Sequence, residues 1–168
     1  MLIRDATEAD WPRIWPFLRE ICAAGETFSY PVDLPEERAR EFWMLAAPNR
    51  TVVAVGDDGT VLGTAKMNAN QMGNAAHIAS ASYMVDPAHS GRGVGRALVD
   101  ETLAWAEQQG FRGMQFNAVV ATNTNAVALY ESVGFRVAGT IPGGFRHPAK
   151  GYVDLLIMFR PIGADTGA

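Results

Sequence analysis

The sequence predicts an α/β fold built on a mixed β-sheet with helices on both faces. Short apolar segments that alternate with period two are interleaved with segments of helical periodicity, in the order β-α-α-β-β-β-α-β-α-β-β. The length of 168 residues is typical of one domain, and we expect a single domain at residues 1–162. The small and polar residues at 163–168 are predicted to form a flexible tail.

The N-terminal part of the chain predicts one short strand followed by two helices. Residues 2–4 form the strand, and Thr7 with Asp10 has the spacing of a capping box. A loop is expected at 25–31, and a second helix is expected from Pro35 to just before Pro48. Apolar residues at helical spacing mark the first helix: Ile14, Phe17, Leu18 and Ile21.

Turn signals and periodicity predict the remaining elements. Gly110 and Gly134 suit the position just after a helix, and residues 57–59 suit a hairpin turn. The predicted strands lie at 51–55, 61–68, 77–85, 114–120, 135–140 and 152–159, and the predicted helices run from a glycine-rich turn at 91–95 to about Gln109 and from 123 to 133.

Composition and charge exclude several classes of function. The formal net charge of -4 argues against broad attraction to nucleic acid or to an anionic membrane, so neither is expected as a partner. No segment is long and apolar enough to cross a bilayer, and the first residues do not resemble a signal peptide. Cys22 is the only cysteine, which fits the reducing cytoplasm where we expect the protein.

The segment from Ser82 to Leu98 predicts a site for a pyrophosphate. A buried strand leads into a tight turn, and the turn opens directly into a helix. The glycines let the backbone approach a ligand closely, and the unpaired N–H groups at the helix start favour an anion. Arg92 and Arg96 add positive charge beside that position.

Other types of glycine-rich loop fit this segment less well. A nucleotide triphosphatase loop ends in Gly-Lys-Ser/Thr, whereas Gly95 is followed here by Arg96 and Ala97. A dinucleotide fingerprint needs Gly-x-Gly-x-x-Gly, and neither Gly91 nor Gly93 begins one. A glycine-rich turn that binds no ligand stays open as an alternative.

The spacing of this turn resembles the coenzyme A loop of the GCN5-related N-acetyltransferase (GNAT) family. That loop follows the pattern Gln/Arg-x-x-Gly-x-Gly/Ala, and its backbone amides hold the pyrophosphate of coenzyme A. The matching stretch is Ser90-Gly91-Arg92-Gly93-Val94-Gly95, in which Ser90 replaces the usual long polar side chain. The substitution removes one side-chain contact and leaves the backbone amides in place.

A second motif supports the same resemblance. Residues 123–135 are similar to the family segment Asn-x-x-Ala-x-x-Leu-Tyr-x-x-x-Gly-Phe, with Asn123 at the position that contacts the cofactor and Tyr130 at the position that faces the thioester sulfur. The resemblance covers nearly the whole chain. It implies the GNAT fold, a central twisted mixed sheet that splays open at the cofactor site, and acetyl-CoA as co-substrate without a metal. The residues implied in binding acetyl-CoA are Tyr83, Met84, Val85, Ser90, Gly91, Arg92, Gly93, Val94, Gly95, Arg96, Asn123 and Tyr130.

The chemistry implied by the resemblance is direct attack of an amine on the thioester in a ternary complex. A backbone N–H near Met84 would polarise the thioester carbonyl, and Tyr130 would protonate the departing sulfur. The general base stays open between Glu26, His77, His147, Asp154 and a water chain, with Glu26 as our choice among the side chains. No metal site is expected, because the three histidines have no ligand spacing.

Within the family, the chain is similar to the amino-acid and phosphinothricin N-acyltransferase branch. The similarity lies in the loop at 26–28 and in the closing stretch at 144–154. It implies a small-molecule primary amine as acceptor, with an amino-acid carboxylate bound by Arg146. Homodimers are common in the family, so we expect a homodimer. The residues expected to bind the acceptor are Glu26, Phe28, Arg146 and His147.

Two other functions stay open at this point. A protein or peptide N-acetyltransferase needs an open groove, and the segments at 25–31 and 141–151 are expected to narrow the site. A non-catalytic acyl-CoA sensor would keep the glycine-rich loop but would have no use for Tyr130.

Overall fold

The computed structural model describes residues 1–163 and contains one seven-stranded sheet. Apart from Gly163, the tail expected at 163–168 lies outside the described residues. The sheet order is β1-β2-β3-β4-β5-β7-β6. The strands are β1 (Leu2–Asp5), β2 (Arg50–Val55), β3 (Val61–Ala69), β4 (Ile78–Val85), β5 (Gly113–Val120), β6 (Arg136–His147) and β7 (Gly151–Pro161).

Four α-helices cover the two faces of this sheet, as the sequence predicts. They are α1 (Trp11–Ala24), α2 (Glu36–Trp43), α3 (Val94–Gln108) and α4 (Thr124–Ser132). The order of strands and α-helices along the chain is the predicted one. Short 3-10 turns precede α1, β4 and α3.

The sheet is mixed because one of its strand pairs is parallel. Strands β4 and β5 run parallel, and the other pairs of the described sheet are antiparallel. The two parallel strands pair only where Ile78 meets Gly113 and Ala79 meets Met114. Beyond these residues they diverge, which confirms that the sheet splays open where the resemblance implies.

Each face of the sheet has its own hydrophobic core. On one face α3 packs on the sheet through buried residues that include Leu98 and Trp105, with Tyr130 partly buried at the same cluster. On the other face α1 and α2 contribute Ile14 and Trp43. Burying a side chain of this size stabilises the fold by about 1.5–3 kcal/mol.

The start of α1 differs in detail from the prediction. The carboxylate of Asp10 accepts hydrogen bonds from the N–H of Thr7 at 2.8 Å and from its Oγ1 at 3.0 Å. This capping box opens a 3-10 turn at Glu8–Asp10, and α1 continues from that turn. Pro16 lies inside α1, and the helix ends at Gly25, whose φ is 64°.

The last two strands are longer than predicted. Strand β6 continues through Pro142 to His147, so residues 141–151, expected to narrow the site, belong to a long hairpin with β7. The pairing register shifts between Ile141 and Phe145, and Gly143 there has a φ of 61°. Strand β6 lies at the sheet edge, where a proline without an N–H is tolerated.

Candidate active site

A cavity of about 790 Å³ occupies the opening between β4 and β5. Its walls come from four parts of the fold: the inner edges of the two strands, the loop before α3, one side of α4, and the loop after α1. We call this cavity the cleft. The loop before α3 forms one end of it, and the loop after α1 forms the other.

The loop before α3 takes its shape from two glycines. Gly91 and Gly93 have φ angles of 74° and 77°, in the left-handed region that favours glycine. The first backbone bond across the start of α3 runs from the N–H of Ala97 to the carbonyl of Gly93. The N–H groups of Val94, Gly95 and Arg96 therefore have no backbone carbonyl of a preceding helical turn to donate to. They can bind an anion instead.

This end of the cleft fits a pyrophosphate. Ser90 and the predicted glycines line it, and Arg96 lines it while also donating to Asp100 at 2.9 Å. Arg92 is exposed and is not among the lining residues. The helix dipole and the unpaired N–H groups attract an anion at this position, although the net charge of the chain is negative.

The edge of β4 offers backbone groups to the cleft. The N–H of Asn70 bonds the carbonyl of Ile78, so the even-numbered residues of β4 turn their backbone groups away from the cleft, toward β3. The amide of Met84 therefore faces β3. The amides of its neighbours Tyr83 and Val85 face the opening, where an extended ligand can pair with them.

Tyr130 lines the cleft. Its ring packs on Phe116 with centroids 4.5 Å apart, and the rings of Tyr83 and Phe135 lie 6.0 Å away. Burial raises the pKa of Tyr130 above its ordinary value. Its hydroxyl has no hydrogen-bond partner among the described residues, whereas that of Tyr83 lies 2.6 Å from Oγ1 of Thr102. Tyr130 is therefore a protonated phenol with a free donor.

Asn123 also lies where the motif places it. It caps α4, and its side-chain oxygen accepts from the N–H of Ala126 at 3.4 Å. The cap fixes the start of the helix that carries Tyr130, and Asn123 itself lines the cleft.

The other end of the cleft is polar and aromatic. This end is lined by four residues of the loop after α1: Thr27, Phe28, Ser29 and Tyr30. Phe28 packs against Tyr30 with ring centroids 5.6 Å apart, and burial raises the pKa of Tyr30 to about 12.

The sheet adds further polar groups to this end, and the sequence interpretation missed them. Ser80, Ser82 and Asn117 line the cleft there. The sequence could have indicated the two serines, because side chains of a strand alternate between its faces. Ser80, Ser82 and Met84 therefore lie on one face of β4. The described lining of the cleft contains no Asp, Glu or His.

The structure does not bring the other expected acceptor residues into the lining. Glu26 and Arg146 are exposed, and neither lines the cleft. His147 is buried, and its Nδ1 accepts from the N–H groups of Ala149 and Lys150 in the hairpin turn.

The remaining candidate bases and the cysteine lie elsewhere. His77 is exposed just before β4, and Asp154 accepts from the N–H of Gly143 at 3.0 Å. Cys22 is buried in α1, and burial raises the pKa of its thiol to about 11. A thiol with such a pKa is a poor nucleophile at neutral pH.

The described residues contain neither a cluster of metal ligands nor a membrane-spanning helix. Across residues 1–163 no group of three or more His, Cys, Asp or Glu side chains could hold a metal ion. No helix in that range is long and apolar enough to span a membrane.

Known proteins share this fold and resemble the chain in sequence. Residues 15–135 match the family model of the acetyltransferase (GNAT) family. A GCN5-related N-acetyltransferase from Kribbella flavida is 56% identical, with a TM-score of 0.93 over 96% of this chain and 97% of that one. A phosphinothricin acetyltransferase from Sinorhizobium meliloti, solved in complex with AcCoA, is 26% identical, with a TM-score of 0.87 over 99% of this chain and 91% of that one.

A further relative is named as an N-alpha-acetyltransferase. The N-alpha-acetyltransferase RimI of Mycobacterium tuberculosis is 33% identical over 118 residues, which are 70% of this chain and 72% of that protein. The family match covers well over half of the chain and includes both the glycine-rich loop and Tyr130. The chain belongs to the acetyltransferase (GNAT) family and is an acetyl-CoA-dependent N-acetyltransferase.

Proposed function

We propose that the protein transfers the acetyl group of acetyl-CoA to the primary amine of a small molecule. The observation that carries this proposal is the shape of the cleft. One end has the unpaired amides of α3, and the other is bounded by Phe28 and Tyr30 of the loop after α1. A compact amine fits between that aromatic wall and the edge of β4.

Each step of the reaction has a group in the proposed site. The loop amides from Gly91 to Arg96 hold the pyrophosphate, and Asn123 lies along the path of the pantetheine. The amides of Tyr83 and Val85 point into the opening, where one of them donates to the thioester oxygen as negative charge develops there. Tyr130 then donates its phenolic proton to the departing sulfur.

The amine loses its proton to water in this proposal. The described lining of the cleft has no carboxylate or imidazole that could act as a base. Ser80, Ser82 and Asn117 supply hydroxyl and amide groups that can hold a water chain at the acceptor end. Glu26, Arg146 and His147 have no part in the proposed reaction.

The attack on the thioester is direct. Cys22 does not line the cleft, and its raised thiol pKa keeps it protonated. A covalent acetyl-enzyme would need an activated nucleophile, which the described lining does not supply.

A protein N-terminus is the second candidate acceptor. Residues 141–151 lie in the β6–β7 hairpin and do not line the cleft, so they leave that side open. The relative RimI carries the name of an N-alpha-acetyltransferase. The aromatic wall that Phe28 and Tyr30 form at the acceptor end of the cleft favours the small molecule.

Release of free CoA thiol tests the proposal. Amino acids, ω-amino acids, polyamines, aminoglycosides and short peptides are offered in parallel with acetyl-CoA. Turnover of a small amine that exceeds turnover of every peptide longer than a dipeptide by at least tenfold in kcat/KM supports the proposal. Turnover that rises with peptide length assigns the protein acceptor instead.

A further inference from the structure

A second cavity lies beside the acceptor end of the cleft. It has a volume of about 710 Å³, and it shares Tyr30 with the cleft. Its walls come from the end of α2, from β3 and from the segment that follows β3. Both amide and apolar side chains line it: Asn49, Asn68 and Gln71, and Phe42, Leu45 and Met72.

Lys66 provides the positive charge in this cavity. Its Nζ donates to the carbonyl of Phe42 at 2.8 Å and lies 5.7 Å from the ring of Tyr30 and 5.5 Å from that of Trp43. The ammonium has three N–H donors, so two remain after the bond to Phe42. The aromatic faces attract its charge but do not neutralise it.

No carboxylate of the described residues pairs with Lys66. None of the ion pairs within 4.0 Å among residues 1–163 includes it. The acidic side chain in the cavity wall is Glu41, which is exposed and pairs with Arg38. A half-buried ammonium without a counterion is costly to maintain, and burial lowers the pKa of Lys66 accordingly.

Strand register brings this cavity next to the reacting centre. Lys66 of β3 pairs with Ser82 of β4, and Asn68 pairs with Ser80. Directly paired residues project from the same face of a sheet, and neighbouring strands lie about 4.8 Å apart. Both serines line the cleft, and both of their partners line the second cavity. One molecule can therefore reach from one cavity into the other.

We propose that Lys66 binds a carboxylate of the acceptor while the amino group of the same molecule lies in the cleft beside Ser82. This inference rests on the proposed function and narrows its acceptor to amines that carry an anionic group. The amides of Asn49, Asn68 and Gln71 hydrogen-bond the same end of the acceptor. Polyamines and aminoglycosides are disfavoured, since the cleft lining has no acid to bind their additional charges.

The geometry also sets the length of the acceptor. Crossing from β4 to β3 spans at least one strand spacing, about 5 Å, and the reach of Lys66 toward α2 adds to it. The amino and carboxyl groups of an α-amino acid are closer together than that. We expect ω-amino acids and dipeptides to be better acceptors than glycine.

The experiment compares each carboxylate with its own carboxamide. The series runs from glycine to 6-aminohexanoate, with glycylglycine, and each acid is measured beside its carboxamide by CoA release. The variants are Lys66→Met, Lys66→Arg and Lys150→Met. Lys150 is the matched control because it is the other lysine of the chain and is exposed in the hairpin turn. A melting temperature with and without CoA checks the folding of each variant.

The inference predicts that the preference for carboxylate over carboxamide acceptors depends on the side chain of Lys66. The wild type should favour the best carboxylate over its carboxamide at least tenfold in kcat/KM. Lys66→Met should abolish that preference and leave the KM for acetyl-CoA unchanged. Lys66→Arg should retain most of it, and Lys150→Met should behave as the wild type.

Three results would overturn the inference. One is a wild type that accepts carboxamides as well as carboxylates, which needs no variant to be folded. Another is a Lys66→Met variant that loses both activities equally. The third is acetylation of amines without an anionic group but of no amine that carries a carboxylate. That result would overturn the inference and still agree with the proposed function. Absence of turnover with all amines would overturn both proposals.

Discussion

The ring of Tyr130 lies on Phe116 at the position where β5 leaves its regular pairing. The ring centroids are 4.5 Å apart at an interplanar angle of 53°, and the register between β5 and β7 shifts between Phe116 and Val119. The irregular part of β5 thus faces the opening beside β4. Helix α4 places a phenol there, held by packing rather than by a hydrogen bond of its hydroxyl.

Replacing Tyr130 with Phe tests its role as proton donor. The variant keeps the ring stack, so the fold and CoA binding should be retained, while kcat should fall by about 10²–10⁴-fold. Stopped-flow CoA release and isothermal titration with CoA measure the two effects. Tyr152→Phe is the control, because Tyr152 is 76% exposed on β7. Unchanged kcat in Tyr130→Phe would contradict the assignment.

The pH dependence of kcat should be set by the acceptor amine rather than by a base of the enzyme. Burial raises the pKa of Tyr130, so the phenol stays protonated through the range where an ordinary tyrosine, with a pKa near 10, begins to ionise. Because the cleft lining has no carboxylate or imidazole, kcat should rise with pH and level off above the pKa of the amine itself.

Two acceptors with different amine pKa values check this expectation. The pH at which the activity levels off should be higher for the acceptor whose amine has the higher pKa. A common inflection between pH 6 and 7 for both acceptors would show that a side chain of the protein acts as base.

The parts of the site that depend on local sequence could be predicted from it. The glycine positions in the loop before α3 determine backbone angles within a few residues, and Gly93 indeed has a left-handed φ. The place of Tyr130 followed from the resemblance to the family motif. The long β6–β7 hairpin could not be predicted, because Pro142 ends a strand unless that strand lies at a sheet edge.

The acceptor end depends on contacts between distant segments. Lys66 stands out as a lysine within a strand of largely buried residues, a signal that the sequence interpretation did not use. The proposed role of Lys66 depends on its contacts with the end of α2 and the loop after α1, and on the β3–β4 register. None of these relations is visible in residue spacing alone. Arg146, chosen from its sequence neighbourhood, lies exposed in the hairpin.

Gly93→Ala tests the loop before α3. A Cβ at this position would meet nothing within 4 Å, but its φ of 77° strains any other residue. We expect a loss of about 1–2 kcal/mol in the free energy of unfolding, together with a raised KM for acetyl-CoA, by about tenfold, as the amides shift.

Gly110→Ala is the matched control for that variant. Gly110 follows the other end of α3, has a φ of 78° and also has no atom within 4 Å of a built Cβ. It should cost similar stability and leave the KM for acetyl-CoA unchanged. Equal effects of the two variants on KM would show that the loop amides do not bind the co-substrate.

Asp10 should make the stability of the protein depend on pH in the acid range. The residue is 2% exposed, and both oxygens of its carboxylate accept from the guanidinium of Arg4 at 2.8 Å. These bonds, with those from Thr7, hold the pKa of Asp10 well below its ordinary value. The folded state therefore favours the charged form more strongly than the unfolded state does.

The sign of the effect follows from this lowered pKa. The contribution of Asp10 is present in full above the pKa of the unfolded chain, near 3.9, and is lost as the pH falls from there toward the lower value of the folded state. Asp10→Asn should cost about 2–3 kcal/mol at pH 7, since it weakens charge-assisted hydrogen bonds. Urea unfolding at pH 7 and at pH 2.5 measures the difference between wild type and variant. That difference should shrink at the lower pH, and an equal difference at both would show that the ion pair between Asp10 and Arg4 does not stabilise the fold.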